Sequence, residues 1–152
     1  MYDKALIDFL IEFHSKRDYF ECHEILEKRW MKDKERQLYF TALIQIAVGM
    51  YHYRRGNFDG SSKLFNKALS KIKTEPEKYE EIGFFTNQLI DLVELKIEET
   101  KEKKPYKSIN LPMKENLIDE CKKHCDKEGI NFFNNSNMED DFILNRHLPK
   151  YR

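Results

Sequence analysis

Several kinds of residue are scarce in this 152-residue chain, and each scarcity removes a class of protein. The three cysteines are too few, and odd in number, for a disulfide framework. The five glycines are scattered and form no phosphate-binding loop. The 27 basic residues are balanced by 27 acidic ones, so no net field attracts nucleic acid or an anionic membrane. We therefore expect free thiols and neither nucleic acid nor a membrane as a partner.

Long apolar segments and secretion signals are lacking as well. The longest apolar run falls short of the roughly 20 residues that span a bilayer. The N-terminal sequence MYDKALIDFLIEF has neither the basic lead nor the cleavage site of a secretory signal. These features predict a cytoplasmic protein, and no motif indicates a cofactor.

The most informative stretch that is present is LYFTALIQIAVGMYHYRR, at 38–55. Only Thr41 and Gln45 are polar between positions 39 and 51. A helix that is apolar on all sides must be surrounded by other elements, and Gly56 is suited to end it. The stretch therefore predicts the central helix of a soluble helical domain.

Helical periodicity predicts further helices on both sides of this stretch. The first two cover 5–13 and 19–31, the second with Asp18 as its N-cap, and a further helix carries Phe65 and Ile72. The next runs from 74 to 97, with Thr74 as N-cap and Pro76 in its first turn. A last helix runs from Pro112 to about 127, and Gly129 ends it. Between two prolines, residues 105–112 should form an extended strap.

Residues 130–152 show no sustained period, although Phe132, Phe133, Phe142 and Ile143 are expected to tuck into the body. The predicted fold is all-α: a single compact multi-helical domain, with antiparallel helices around a central buried helix and a largely irregular C-terminal arm. Residues 1–104 form the helical core, and the strap, one further helix and the arm at 105–152 pack on the same domain.

One group of residues does not fit a plain helical core. In YFECHEILEKRW, Phe20, His23, Glu27 and Trp30 share one helix face, and Glu24 flanks it. If the aromatic residues pack inward, His23 and Glu27 are drawn toward the core and need polar partners. The central helix offers Gln45 and His52 on a face with small residues that would let a neighbouring helix come close.

Two interpretations of this group stay open. The candidate polar site comprises His23, Glu24, Glu27, Trp30, Gln45 and His52, which would bind a ligand or metal or shuttle protons between two helices. Alternatively, the polar side chains form a hydrogen-bond network that fixes the register of the helices. A network predicts that His23→Ala costs ~1–3 kcal/mol of unfolding free energy, whereas a ligand site predicts a nearly neutral change.

Metal motifs match poorly. HEILE is similar to the zinc motif H-E-x-x-H, but Glu27 replaces the second histidine. Cys121, His124 and Cys125 share a face of the last helix and could hold zinc with a fourth ligand such as Cys22 or His147, yet their spacing is not a standard zinc pattern. We favour two half-buried cysteines beside a surface histidine and predict no metal.

The stretch from Gln45 to Leu69 also looks like a single tetratricopeptide-type helical hairpin. Ser61 stands where alanine is usual in that repeat, and no second copy follows. Because such repeats need stacked neighbours, one copy indicates helix packing rather than a peptide-binding solenoid.

About the first half of the chain resembles the domain-of-unknown-function 309 family of small bacterial and archaeal helical proteins. The matching residues are Phe20, His23, Glu24, Leu26, Glu27 and Trp30, in the pattern F-x-x-H-E-x-L-E-x-x-W, followed by Gln45, Tyr51, His52, Gly56 and Asn57. The departure is again Ser61. The resemblance implies a compact all-α fold in a cytosolic protein and supplies no reaction.

The absence of a complete catalytic set favours a non-enzymatic binding domain. Its partner would be another protein or a small ligand, and the leftover apolar faces leave a homodimer open. The alternative is a small-molecule- or metal-dependent enzyme centred on the candidate polar site.

Overall fold

The computed structural model describes residues 2–151 and confirms the predicted all-α class. Within that part the helices are α1 (Lys4–His14), α2 (Tyr19–Lys32), α3 (Leu38–Arg54), α4 (Phe58–Thr74), α5 (Pro76–Glu81), α6 (Thr86–Lys101), α7 (Glu115–Glu128) and α8 (Asp141–Leu144), followed by a 3-10 turn at Pro149–Tyr151. The predicted segments 1–104 and 105–152 include positions 1 and 152, which lie outside the described residues. None of the helices in this range is long and apolar enough to cross a membrane.

Helix α3 is the centre of the fold, as its composition predicts. It packs against both α2 and α4, and buried residues occupy most of its length. The half-exposed residues Thr41, Ile44, Val48 and His52 recur at helical spacing along one edge. The apolar circumference is thus covered by neighbouring helices everywhere except along this edge.

The predicted hairpin is made by α3 and α4, which approach closely at Gly49. A Cβ at this position would lie 2.6 Å from Cε1 of Phe65. The Ser61 hydroxyl donates a hydrogen bond of 2.7 Å to the Gly49 carbonyl. The serine that departs from the repeat pattern is therefore buried with its hydroxyl satisfied, and it ties the two helices together.

The prediction of one continuous helix from 74 to 97 is wrong. Thr74 is the last residue of α4, and its hydroxyl donates to the Ser70 carbonyl at 2.9 Å instead of capping a new helix. A turn at 82–85 separates α5 from α6, with Gly83 at φ +109°. Such a break has no strong signal in the local sequence, because a distant segment stabilises it.

That distant segment is the end of the strap, which we define as residues 105–112. The Phe85 N–H donates to the Pro112 carbonyl at 2.9 Å, and the Lys114 N–H donates to the Gly83 carbonyl at 2.7 Å. Because these groups pair with the turn, α7 begins at Glu115 rather than at Pro112 as predicted. Its end is as predicted, with Gly129 in the left-handed region at φ +68°.

Two buried residues at the end of α1 hold the strap to the helical body. Arg17 donates from Nε to the Asn134 carbonyl at 2.6 Å and from its terminal nitrogens to the Ile109 carbonyl and the Asn110 side chain. His14 accepts the Leu111 N–H at Nε2, at 3.0 Å. Arg17 adopts φ +55°, a strained conformation for a residue with a side chain, which these three hydrogen bonds stabilise.

Arg54, at the end of α3, completes this attachment. One terminal nitrogen of its buried guanidinium donates to the Arg17 carbonyl at 2.7 Å and to the Ser136 hydroxyl at 3.2 Å. The other donates to the Ile143 carbonyl at 3.2 Å. We call His14, Arg17 and Arg54 the clamp, and residues 130–150 the arm. The clamp fastens both the strap and the arm to α1 and α3.

The arm packs on the body through three of the four residues predicted to do so. Phe132 and Ile143 are buried, as expected. Phe133 is 37% exposed, but its ring packs edge-on against that of His14 on α1, with centroids 5.4 Å apart. Phe142 is 42% exposed and lies 4.9 Å from the guanidinium of Arg146, another arm residue, so the prediction that it tucks into the body is wrong.

The clamp predicts a pH dependence of stability. His14 Nδ1 donates to the Leu10 carbonyl at 2.7 Å while Nε2 accepts, an arrangement that only the neutral ring can make. Burial lowers the pKa of His14 from its ordinary 6.5 to about 3. The stabilisation is therefore complete above pH 6.5 and is lost as the pH falls toward 3. We expect His14 to account for a loss on the order of 3 kcal/mol in unfolding free energy between pH 7 and pH 4.

Denaturation curves of the wild type and of His14→Gln across this pH range measure the effect. Their difference separates the imidazole from the carboxylates, which titrate in both proteins. Equal pH slopes in the two proteins would contradict a neutral, buried His14.

Candidate functional site

The α2 helix presents the candidate residues at its solvent-facing edge. Its predicted N-cap is present, since the Asp18 carboxylate accepts the Glu21 N–H at 3.1 Å. Tyr19, Cys22 and Leu26 form the buried face of the helix. The other face is half-buried and carries what we call the α2 stripe: Phe20, His23, Glu24, Glu27 and Trp30. The stripe is therefore neither a core network nor fully solvated.

His23 bridges the two carboxylates of the stripe. Its Nε2 lies 2.8 Å from Oε2 of Glu27, one turn along the helix, and its Nδ1 lies 3.6 Å from Oε1 of Glu24. The three side chains are 31%, 46% and 43% exposed, respectively. At this exposure such side-chain contacts add little stability.

The two aromatic residues at the ends of the stripe are covered by cationic side chains. The guanidinium of Arg36 lies 4.5 Å from the Trp30 ring centroid, and that of Arg146 lies 5.6 Å from the Phe20 ring. Phe20 also contacts Tyr51 on α3, with ring centroids 6.1 Å apart. The stripe thus ends in aromatic surfaces that already receive cations.

The structure does not bring Gln45 to the α2 stripe. The Gln45 side chain is directed to α4, where its Oε1 accepts from Lys71 Nζ at 2.9 Å. Gly49, on the same face of α3, also contacts α4. Because α4 packs against the small residues on this face of α3, the face does not meet the histidine and carboxylates of α2, contrary to the prediction from the sequence.

His52 sits at the corner between α3 and α4. Its Nδ1 is 3.4 Å from the amide nitrogen of Asn57. Partial burial lowers the pKa of His52, and Arg55 and His147 lower it further. His52 is therefore adjacent to the stripe only through its neighbour Tyr51.

Arg146 of the arm contacts the stripe and His147 contacts the neighbouring Tyr51, and the sequence indicates neither of these roles. Arg146 bridges Asp18 and Glu21 at 2.8 Å each, at the start of α2. The Tyr51 hydroxyl hydrogen-bonds His147 Nδ1 and accepts the His147 backbone N–H at 3.2 Å. In the sequence, His147 is a candidate only for a fourth zinc ligand. No local pattern signals these contacts, because about 100 residues separate the partners.

The weak metal candidates on α7 face in different directions. Cys121 and Cys125 are buried more completely than predicted, whereas His124 is 43% exposed and lies 3.4 Å from Glu120. Burial raises the pKa of Cys121 to about 12 and also raises that of Cys125. Cys22 is buried on α2 and donates to the Phe9 carbonyl at 3.5 Å. Among the described residues, no group of three His, Cys, Asp or Glu could hold a metal ion.

Enclosed space lies away from the α2 stripe. The largest of five cavities that we describe has a volume of about 640 Å³ and lies between α1, α3, α5 and α7. None of the five is lined by a residue of the stripe. The stripe thus lies on the surface of α2, outside these five cavities.

Because His23 and its partner Glu27 are half-exposed, we expect His23→Ala to have a small effect on stability. We expect the unfolding free energy to change by less than about 1 kcal/mol, because exposed pairs contribute little and alanine favours the helix. Chemical denaturation measures the change. The matched control is His14→Ala, which removes a buried ring with two hydrogen bonds and should cost much more. A loss of 2 kcal/mol or more at His23, about as large as the control's, would indicate a structural network instead.

Comparison with known proteins places the stripe within a recognised family. A family model described as "Domain of unknown function (DUF309)" matches residues 6–64, which include the whole stripe. The chain is also 38% identical over 155 residues to the uncharacterized protein YpuF of Bacillus subtilis (strain 168), an alignment that covers 100% of this chain and 89% of YpuF. No solved structure matches the chain. This protein belongs to the DUF309 family.

Proposed function

We propose that this protein is a non-enzymatic binding domain of the cytoplasm whose α2 stripe receives a basic, amphipathic helix of a partner protein. The observation that carries the proposal is the half-exposure of the stripe, in which two aromatic residues flank two accessible carboxylates. Aromatic residues, tryptophan above all, commonly supply much of the binding energy of a contact surface.

The neighbouring edge of α3 supports a helix as the occupant. Ile44 and Val48 remain half-exposed there, and the contact between Phe20 and Tyr51 joins α2 to α3 at one end. Two packed helices with a partly apolar edge offer a shallow groove to a third helix. Basic residues on that helix would complement Glu24 and Glu27.

The charge of the stripe favours a different protein over a second copy of this chain. A symmetric dimer brings the same patch of both copies together. Glu24 and Glu27 would then approach the same carboxylates of the other copy, which is unfavourable unless they are neutralised.

The enzymatic alternative has less support. His23 and its carboxylates lie on an open helix surface, whereas catalytic groups usually act in a site that excludes water. The three cysteines are buried, and burial raises their pKa values, opposite to the activation of a nucleophilic thiol. The same reduced, buried thiols are consistent with a cytoplasmic location.

Site-specific photo-crosslinking in native cells tests the proposal. The photoreactive residue p-benzoylphenylalanine replaces Met31, which is 60% exposed beside Trp30, and in the control it replaces Leu95 on α6, which is 54% exposed. We expect a discrete adduct with another protein from position 31 only. The double charge reversal Glu24→Lys and Glu27→Lys should abolish that adduct without unfolding the domain.

Mass spectrometry of the adduct and a synthetic peptide of the crosslinked segment complete the test. A basic helical segment that binds the purified wild type and not the charge-reversed variant supports the proposal. An adduct of twice the chain mass would indicate self-association instead. Equal labelling from both positions, or none, would contradict a partner surface on α2.

A further inference from the structure

The largest cavity described has a lining that the proposed function does not use. Its volume of about 640 Å³ lies between the N-terminal end of α1, the start of α3, the end of α5 and the first turns of α7. Its buried part includes Leu6 and Tyr39, and its rim is made of exposed residues of α5 and α7. The cavity thus has a buried floor and a solvent-accessible rim.

The rim and walls carry more negative than positive charge. Asp3, Glu81, Asp119 and Glu120 line the cavity, with Lys123 as the basic residue in the lining. Asp3 lies 2.8 Å from Arg29, Glu81 lies 3.8 Å from Lys78, and Glu120 lies 3.8 Å from Lys123 and 3.4 Å from His124. Within the described part of the chain, Asp119 makes no ion pair or hydrogen bond. Asp119 is therefore the carboxylate of the lining that remains for a bound cation.

Tyr39 adds an independent observation that points to a ligand. It is only 5% exposed, and its hydroxyl has no hydrogen-bond partner among the described residues. The hydroxyl of Tyr79 is completely buried in the core and has no hydrogen-bond partner. The hydroxyl of Tyr39 is not completely buried, and Tyr39 lines the cavity. Burial, reinforced by Asp3, raises the pKa of Tyr39 to about 12. The neutral Tyr39 hydroxyl in the cavity floor is therefore free to form a hydrogen bond with a bound ligand.

The distribution of these groups favours an extended cation over a metal ion. The carboxylates come from three helices or their ends, α1, α5 and α7, rather than converging on one point. Apolar side chains of Leu6 and Ile82 lie among them. A chain of methylene groups with an ammonium group at each end matches acidic walls separated by apolar surface.

We propose that this cavity is a binding site for a small aliphatic diamine or polyamine. One ammonium group pairs with Asp119 on α7, and the Tyr39 hydroxyl accepts a hydrogen bond from the ammonium group nearest the floor. The methylene chain lies against Leu6 and Ile82. The site lies on other surfaces than the α2 stripe, so it stands or fails separately from the proposed function.

Isothermal titration calorimetry of the purified full chain in 150 mM salt tests this inference. The probes are 1,4-diaminobutane and spermidine, and the matched control compound is 1,4-butanediol, which has the same spacer without charge. We expect one amine per chain, no binding of the diol, and no displacement of the amine by magnesium at equal concentration.

Two variants locate the binding. Tyr39→Phe removes a hydroxyl that has no protein partner, so it should fold normally and weaken amine binding by about tenfold. Asp119→Asn should weaken binding by a similar factor. The control Asp91→Asn makes the same change on α6, outside the cavity lining, and should leave the affinity unchanged.

Each other outcome overturns the site. Amine binding that is equal in the wild type, Tyr39→Phe and Asp119→Asn would place the amine elsewhere on the surface. Binding of the diol, displacement of the amine by magnesium, or no amine binding at all would also exclude it. Circular dichroism of every variant ensures that lost binding is not lost folding.

Discussion

The guanidinium of Arg54 is the contact on which the outer parts of the structure depend. It is buried, and it is held by the carbonyls of Arg17 and Ile143, the Ser136 hydroxyl and the ring of Tyr19, whose centroid lies 4.6 Å away. These partners come from two parts of the chain, the junction between α1 and α2 and the arm, and the strap adds the ring of Tyr106 at 5.8 Å. A buried charge that loses its partners is strongly destabilising, so the arm is needed to satisfy Arg54 as much as Arg54 is needed to hold the arm. The C-terminal third is therefore part of the same folding unit as the helices.

Both candidate binding features follow from this attachment. The arm, once fastened by the clamp, places Arg146 against Phe20 and His147 against Tyr51, which shapes one end of the α2 stripe. The strap, fastened by Arg17 and His14, pairs with the turn between α5 and α6 and leads directly into α7. Because α7 supplies one wall of the acidic cavity, that cavity too depends on the strap. A partner surface and a ligand site thus share one structural support without sharing residues.

Helices could be predicted from the sequence wherever apolar residues recur at helical spacing without interruption. The central helix, the Asp18 cap and the Gly129 end are confirmed because each depends on residues within a turn or two. The break at 82–85 was missed because it is stabilised by the strap, about 30 residues away. The stripe was found by its spacing, but its half-exposure depends on how the neighbouring helices cover α2. The clamp was missed entirely, since an arginine that binds carbonyls up to 117 residues away resembles any surface arginine in sequence.

Hydrogen exchange at three backbone amides tests the clamp most directly. The amides are those of Leu111, which donates to His14 Nε2, Asn134, which donates to the His14 carbonyl, and Ser136, which donates to the Ser108 hydroxyl. In the wild type at pH 7 we expect them to exchange as slowly as the core amides of α3. In Arg54→Met, which keeps the bulk but not the charge, they should exchange before α3 opens. Fast exchange of the three amides in the wild type, with α3 still protected, would contradict the single folding unit.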